Sequence, residues 1–165
     1  MTSDVHPNAA LINRFYAAFA RRDAGGMAAC YAPDAHFTDP VFDLSGAQVG
    51  AMWSMLCERA TDLELEWRDV RADDATGSAH WEPRYTFSAT GRPVHNVIDS
   101  AFTFGAGRIV RHVDTFDLWR WSRMALGAKG ALLGWSPLVR NAVRAQAKRG
   151  LDAWMKKTAR AESTP

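Results

Sequence analysis

Cysteine is scarce in this sequence, which has only Cys30 and Cys57 among 165 residues. Two cysteines fit neither a disulfide framework nor the ligand spacing of a zinc site, and His36 and His80 have no partner at metal-ligand spacing. The residues after Met1 lack the basic segment and apolar run of a secretory signal. We therefore expect a reduced, cytoplasmic protein with no bound metal and no cofactor.

Long hydrophobic runs are missing too, because no stretch approaches the roughly 18 apolar residues that a membrane-spanning helix needs. Internal repeats and low-complexity linkers are also lacking. The composition, 47% hydrophobic and 23% charged, is typical of a globular chain. At this length we expect one α+β domain over 1–121 and a helical extension over 122–165, packed on or beside it.

Acidic residues are nearly missing from the end of the chain. From Arg120 onward there are ten basic residues and two acidic ones, a net charge of +8, which leaves −6 on the rest. A basic helical face of this kind is usually no more than a solvated surface. The sharper alternatives are a lid over a pocket, a dimer clasp, or contact with anionic lipid or nucleic acid. Because no nucleic-acid motif is present, we expect no nucleic-acid partner, and membrane-surface contact is the less favoured alternative.

Helical periodicity opens the chain. Leu11, Phe15, Ala18 and Phe19 recur on one face, which predicts a helix from about 7 to 22. A shorter helix over 26–31 and a third helix after a Ser45–Gln48 capping box should follow. The helical tail should begin at Ser136 and Pro137. Between them, strand patterns cover 63–67, 81–87, 93–104 and 108–121. Helices followed by a meander of antiparallel strands indicate an α+β domain.

The turns give an expected strand register. A type II′ turn at Gly105-Ala106 pairs Asp99 with His112 and Val97 with Asp114. Residues opposite one another share a sheet face, so Asp99, His112 and Asp114 should project to the same side.

The preceding hairpin admits two registers. A three-residue loop over 90–92 pairs Pro83 with Asp99 and Tyr85 with Val97, and we prefer it because it gathers the aromatic side chains on one face. A two-residue loop would instead bring Glu82 and Arg84 beside Asp99. Since one residue of slip flips every side chain of a strand, this choice decides whether the aromatic side chains or Glu82 and Arg84 share the face of Asp99.

Asp99 interrupts an apolar run from Val97 to Phe102. An ionised carboxylate is costly there unless it is compensated, so Asp99 should either pair with a base or stay protonated. A structural role as the partner of His112 or Arg84 is the alternative to a functional one.

The segment Tyr31–Pro40, YAPDAHFTDP, resembles the Tyr-Ala-x-Asp-Ala-x-x-x-Asp-Pro segment of bacterial ketosteroid isomerases. It is also similar to the wider nuclear transport factor two-like, or SnoaL-like, superfamily, as are Val97-Ile98-Asp99 and Gly107-Arg108-Ile109. The resemblance covers about 11–121. It implies a cone-shaped fold, in which a curved antiparallel sheet wraps around the long N-terminal helix with a pocket inside, and it implies a homodimer. This fold hosts many unrelated activities.

The resemblance also implies roles. Asp39 matches the general base of the isomerases and Asp99 the protonated acid that binds an oxyanion, a pattern for which ketosteroid isomerase is itself the standard example. The oxyanion-binding tyrosine of the family falls on Phe15, with Tyr16 next to it. His112 would donate to a substrate oxygen or act as a base oriented by Asp99. Related dehydratases with a histidine–aspartate pair and epoxide hydrolases with two carboxylates are similar too.

Three hypotheses result. The first is an isomerase, dehydratase or hydrolase acting on a small apolar oxygenated molecule, with Asp39, Asp99, His112 and Asp114 as catalytic residues. The second is a binding protein on the same scaffold, and the third is an interaction module that uses the basic tail. A turn role for Asp39 and a solvated face for His112 and Asp114 are the alternatives to catalysis. The expected pocket lining consists of residues that are otherwise core: Phe15, Tyr16, Trp53, Trp81, Tyr85, Val97 and Phe116.

Overall fold

A computed structural model describes residues 5–164 as an α+β chain with one curved, unclosed sheet. The helices are α1 (Pro7–Ala20), α2 (Ala24–Ala28), α3 (Ala47–Arg59), α4 (Leu118–Leu126), α5 (Ala128–Leu133) and α6 (Pro137–Glu162). The strands are β1 (Tyr31–Thr38), β2 (Asp43–Ser45), β3 (Glu64–Ala72), β4 (Thr76–Phe87), β5 (Arg92–His95), β6 (Ile98–Gly105) and β7 (Arg108–Thr115). The predicted fold class is confirmed.

The sheet has the strand order β2-β1-β7-β6-β4-β3, and β5 adds to β4 beyond the stretch that pairs with β6. All pairs are antiparallel except β1 with β7, which run parallel. Helix α1 packs on the inner face, and its apolar stripe, including Leu11, Ile12, Phe15 and Phe19, is buried in the core. A helix inside a curved sheet is the arrangement expected from the resemblance.

The predicted helices form, with shifted ends. Helix α1 begins at Pro7 as expected. Helix α2 begins earlier than predicted, because the Asp23 side chain accepts a hydrogen bond from Gly26 N at 2.9 Å and caps it. Ser45 does not cap α3. Its backbone N–H donates to Gln48 Oε1 at 3.3 Å, but its hydroxyl bonds to His36 instead.

The predicted register of β6 with β7 is wrong. The turn residues are Ala106 and Gly107, with φ of +50° and +75°, as in a type I′ turn, and not Gly105 and Ala106. A bulge at Val110 adds one further residue to β7, so the pairing moves by three positions. An odd shift reverses the face of a side chain. Asp99 therefore lies opposite Thr115, and His112 lies opposite Phe102.

The predicted register of β4 is also wrong. Four residues, 88–91, connect β4 to β5, and Tyr85 pairs with Val94 instead of Val97. Strand β6 pairs with the first half of β4, where His80, and not Pro83, lies opposite Asp99. Along one edge, the long β4 thus pairs first with β6 and then with β5, and the loop lengths did not indicate this division.

The C-terminal helices begin before the predicted extension, because α4 runs across positions 121 and 122. Helix α6 has 26 residues and starts at Ser136 and Pro137 as predicted. Its Leu151 is buried in the main core, and Trp154 and Met155 pack against that core. Within residues 5–164, no helix is long and apolar enough to cross a membrane. The division at 121 stays a prediction.

Candidate active site

An apolar cavity of about 590 Å³ lies between the inner sheet face and the helices. Trp53, Trp81, Tyr85 and Phe116 of the predicted lining contribute to its wall. The largest shares of the wall come from α3, β4 and α6. The other predicted lining residues are elsewhere: Phe15 and Tyr16 are buried in the core behind the wall, and Val97 is half-buried outside it.

Asp39 reaches the cavity from the turn that follows β1. Its Oδ1 accepts hydrogen bonds from the backbone N–H groups of Val41 at 2.7 Å and Phe42 at 2.6 Å. It is thus a turn residue that also faces the cavity. Burial raises the pKa of this carboxyl from 3.8 to about 7, against the lowering effect of the two backbone donors, and the charge of Asp114 raises it further.

Asp114 and His112 lie two residues apart on the inner face of β7, so both project inward. His112 Nε2 lies 2.8 Å from Asp114 Oδ1, and the two side chains are 0% and 2% exposed. The Ser100 hydroxyl donates to the same oxygen. Asp114 lines the cavity, and since its contacts with described residues use Oδ1, its Oδ2 is the oxygen available to a ligand.

The proton of His112 can be assigned from its neighbours. Trp53 Nε1, which can only donate, bonds to the Tyr31 hydroxyl at 3.0 Å, and that hydroxyl lies 2.6 Å from His112 Nδ1. Tyr31 satisfies both contacts if it accepts from Trp53 and donates to Nδ1. The Nε2–H of His112 then donates to Asp114, and a single chain of hydrogen bonds runs from Trp53 to the cavity.

A second chain meets at Ser100 on β6. Tyr16 Oη lies 2.8 Å from the Ser100 hydroxyl, and Trp81 Nε1 donates to that hydroxyl at 2.9 Å. Because Ser100 donates to Asp114, Tyr16 is the donor of its pair. Tyr16 therefore supports Asp114 from behind, and burial raises its pKa well above the usual value. Sequence reasoning did not identify Tyr31 or Ser100, although Tyr31 opens the motif that carries the resemblance.

Asp99 does not join this cluster. It lies on the outer sheet face, where its side chain is 76% exposed and its Oδ1 is 2.8 Å from His80 Nδ1. The expectation that Asp99, His112 and Asp114 share a side is therefore wrong for Asp99, because the odd register shift reverses its face. The inner position falls instead to Ser100, the next residue of β6.

Tyr85 offers a donor at the cavity wall. Its hydroxyl accepts a hydrogen bond from Trp121 Nε1 at 3.0 Å, which leaves its own proton for a ligand oxygen. Burial raises the pKa of this phenol, and the charge of Asp39 raises it further, so the group stays protonated and able to donate. Trp121 and Asn96 also line the cavity and were not predicted.

Helix α6 completes the wall on the side away from the sheet, through Val143, Gln146, Ala147 and Gly150. Contacts at two points hold it there: Arg144 Nε donates to Pro40 O at 2.8 Å, and Trp154 Nε1 donates to Glu58 Oε2 at 2.9 Å. Of the alternatives for the tail, this placement matches a cover over the pocket. Within residues 5–164, no group of three or more histidine, cysteine and acidic side chains is arranged to hold a metal ion.

Comparisons with known proteins place the site in a family context. A sequence profile described as the SnoaL-like domain matches residues 12–112, and no curated protein sequence matches the chain. Among solved structures, a nuclear transport factor two-like protein of unknown function from Burkholderia pseudomallei is similar, at 21% identity and a TM-score of 0.63 over 73% of this chain and 98% of that one.

Two similar structures have activities in their names. One is an epoxide hydrolase from M. tuberculosis, with 18% identity and a TM-score of 0.61 over 79% of this chain and 97% of that one. The other is a putative polyketide cyclase from Xanthomonas campestris pv. campestris, with 21% identity and a TM-score of 0.58 over 72% and 96%. At these identities, the similarity shows a shared fold.

Proposed function

The chain belongs to the SnoaL-like domain family, and on that premise we propose that it is an enzyme that transfers a proton on a small, apolar, oxygenated molecule. The observation that carries the proposal is the presence of two differently held carboxyl groups in one apolar cavity. Asp39 has a pKa of about 7, and Asp114 is fixed by Ser100 and His112. Two carboxyl groups in different environments are the usual basis for an acid and a base in one site.

Asp39 is the group that carries the proton. With a pKa of about 7, its charged and protonated forms are both well populated at neutral pH, so it can take a proton from the substrate and return it. As the charged form it removes a proton from a carbon beside a carbonyl, and it delivers the same proton to another carbon or to an oxygen.

Tyr85 binds the oxygen on which charge develops. Its hydroxyl is oriented by the Trp121 N–H and has a proton to donate. A neutral donor held in an apolar wall stabilises a developing enolate more than water does, because it needs no reorganisation when the charge appears. Tyr85 thus takes the part that the family resemblance implied for the position of Phe15.

Asp114 supplies a second, immobile carboxyl group. Its Oδ2 accepts a hydrogen bond from a substrate hydroxyl or from a water molecule, while Oδ1 stays bound to Ser100 and His112. With a water molecule between Asp114 and Asp39, the same groups fit the opening of an epoxide. The polyketide cyclase and epoxide hydrolase named above are consistent with these two uses of one site.

The sharpest test is isotope transfer, because it does not require the natural product to be known. Purified protein is incubated in heavy water with apolar enolisable ketones such as tetralone, and in water labelled with heavy oxygen with cyclohexene oxide and styrene oxide. Mass spectrometry then follows label incorporation. We expect Asp39→Asn, which keeps the acceptor for Val41 and Phe42, to lower the rate by about 10²–10⁴. Tyr85→Phe should lower it by about 10²–10³.

Asp99→Asn is the matched control, because it removes a carboxylate from the outer face of the same sheet. Its rate should equal that of the original protein. If Asp39→Asn keeps the full rate, Asp39 is not the proton carrier. If ketones raise the melting temperature of the protein but acquire no label, the chain is a binding protein and the enzymatic proposal is wrong.

A further inference from the structure

The segment from Leu118 to Leu151 has no acidic residue and seven basic ones: Arg120, Arg123, Lys129, Arg140, Arg144, Lys148 and Arg149. It comprises α4, α5 and the first half of α6. Such a surface attracts anionic partners from solution. Charge alone does not select among them, so the other exposed groups of the segment decide.

An apolar ridge stands on this basic segment. We use the term for Trp119, Leu132, Leu133, Trp135 and Leu138, which are 41%, 72%, 51%, 65% and 83% exposed. Within residues 5–164 they are five of the six large hydrophobic residues that are exposed. Two hydrogen bonds bring parts of the ridge together, because Trp119 Nε1 donates to Ala131 O at 3.2 Å and Trp135 Nε1 donates to Leu132 O at 2.9 Å. Exposed apolar groups in such a concentration mark an interaction site.

A basic cleft adjoins the ridge. Three guanidinium groups line it, from Arg92, Arg120 and Arg123, together with Pro93 and Met124. Arg123 lies 4.5 Å above the Trp119 ring, and Arg92 is held by a 2.9 Å hydrogen bond to Met124 O. None of the three forms an ion pair with a carboxylate of residues 5–164. Guanidinium forks of this kind suit phosphate oxygens.

We propose that the apolar ridge and the basic cleft dock this protein on the surface of an anionic lipid bilayer. Leucine and tryptophan enter the interface between headgroups and acyl chains, and the arginines bind lipid phosphates. Two alternatives fit less well. A second copy of the chain would bring two strongly positive segments together, and a nucleic acid would leave the two leucines of α5 exposed to water.

Docking in this way would place the cavity next to the lipid. The helices that carry the ridge also line the cavity, through Trp121 and Leu126 of α4 and Val143 of α6. A substrate dissolved in the bilayer would then reach Asp39 without crossing water, a consequence that rests on the proposed function. The docking itself does not depend on turnover.

Vesicle flotation tests the docking on the full chain without an activity assay. The probes are vesicles of phosphatidylcholine alone and vesicles in which about a third of the lipid is phosphatidylglycerol. We expect flotation with the anionic vesicles only, weakened by high salt. Leu132→Ser with Trp135→Ser should lower the partition coefficient by at least about 30-fold. Arg120→Gln with Arg123→Gln should lower it by about 30-fold.

Lys156→Gln with Lys157→Gln is the matched control. It also removes two positive charges, but at a site on α6 that lies about 27 Å along the helix from Leu138 of the ridge. It should change partitioning by less than about threefold. Circular dichroism verifies the fold of each variant, and the altered side chains of the ridge are exposed, so loss of folding is not expected. The docking proposal is overturned if anionic vesicles do not float the protein, or if the serine variant floats as well as the original.

Two further measurements distinguish other occupants of the same surface. Tighter binding to a duplex oligonucleotide than to anionic vesicles would overturn the proposal in favour of nucleic acid. A dimer in sedimentation velocity that dissociates in the serine variant would overturn it in favour of a second copy. The docking is supported if the protein floats with anionic vesicles, binds the duplex oligonucleotide less tightly than the vesicles, and forms no dimer that the serine variant dissociates.

Discussion

Two histidine–aspartate pairs occupy opposite faces of the same sheet. On the inner face, His112 and Asp114 are 2.8 Å apart and their side chains are 0% and 2% exposed. On the outer face, His80 and Asp99 are also 2.8 Å apart, but their side chains are 17% and 76% exposed. The two pairs therefore have the same residue types and the same distance but very different exposure to solvent. Burial, and the groups that complete each network, decide what the pair does.

The networks differ in kind. The inner pair is surrounded by neutral hydrogen-bond donors, from Tyr31 and Ser100, and every proton has an assigned acceptor. The outer pair shares its histidine with Glu82, whose Oε1 is 3.0 Å from His80 Nε2 and whose Oε2 is 2.7 Å from His95 Nε2. On the cavity side, burial raises a carboxyl pKa, at Asp39. On the outer side, hydrogen bonds lower one, at Glu82.

Removing one histidine from each face gives the largest expected difference. His112→Ala removes one hydrogen-bond partner from each of the buried side chains Tyr31 and Asp114 and opens a cavity in the core, which should lower the free energy of unfolding by about 3–5 kcal/mol. His80→Ala should change it by less than about 1 kcal/mol, because water replaces the lost contacts. Urea unfolding, read from midpoints at equal slope, measures both. Equal losses would remove the distinction between the faces.

The pH dependence of stability comes second in size. The pKa of Asp39 is about 7 in the folded protein and 3.8 in a model peptide, so the folded state binds this proton more strongly. Its contribution to stability is full below pH 3.8 and is lost as pH rises through about 7. Asp39→Asn removes the cost of burying an ionised carboxylate, so the variant should be the more stable protein at pH 8. The pKa difference corresponds to at most about 4 kcal/mol, and we expect about 1–3 because Asp39 is partly exposed.

Urea unfolding of Asp39→Asn at pH 4, 6 and 8 measures that gain. Asp34→Asn, an exposed change on β1, the strand that precedes Asp39, is the control and should show no such trend. A gain in stability together with the loss of isotope transfer would show that Asp39 is retained for activity at the expense of stability. A variant that is less stable than the original protein at pH 8 would contradict the raised pKa.

The comparison also explains how far the sequence could lead. Periodicity predicts α1 and strand segments within β3 to β7, because apolar side chains recur with the period of each element. The motif around Asp39 predicts its place at the cavity, because that motif is one continuous stretch of sequence and does not depend on the register of distant strands. Whether a residue of β6 faces inward depends on pairing with another strand, and there the prediction depends on turn geometry. Ala106 adopts a left-handed φ of +50° that its side chain does not indicate.

The bulge at Val110 is the second feature without a sequence signal. It shifts β7 by one residue, which keeps His112 and Asp114 inward while β6 presents Ser100 instead of Asp99. Serine is an ordinary residue for an outer face, so nothing in its type indicated that it joins two buried aromatic donors to a carboxylate. Helix α6 is similar, because its stripe predicted a helix but not the side of the domain on which it packs.

Glu82→Gln gives the smallest effect and the opposite sign. Glu82 is held in its charged form by hydrogen bonds from His80, His95 and Arg68, which lower its pKa from 4.5 to about 2. Its contribution to stability is therefore present above pH 4.5 and is lost as pH falls toward 2. Urea unfolding should show that the original protein exceeds Glu82→Gln most clearly between pH 4.5 and 6.5, and that this difference shrinks as pH falls below 4.5. The difference should also shrink as pH rises through the raised pKa of His80, because the histidine then loses the charge that faces Glu82.

Salt separates this effect from that of Asp39. The outer network is open to solvent, so high salt should reduce the difference between the original protein and Glu82→Gln, whereas the Asp39 effect arises from burial and should persist. Proton resonance titration of His80 provides a second reading, because Glu82 is the first cause of its raised pKa and the value should fall toward 6.5 in the variant. If the Glu82 difference instead grows between pH 5 and 8, the outer network responds to burial as the inner one does, and the contrast between the two faces fails.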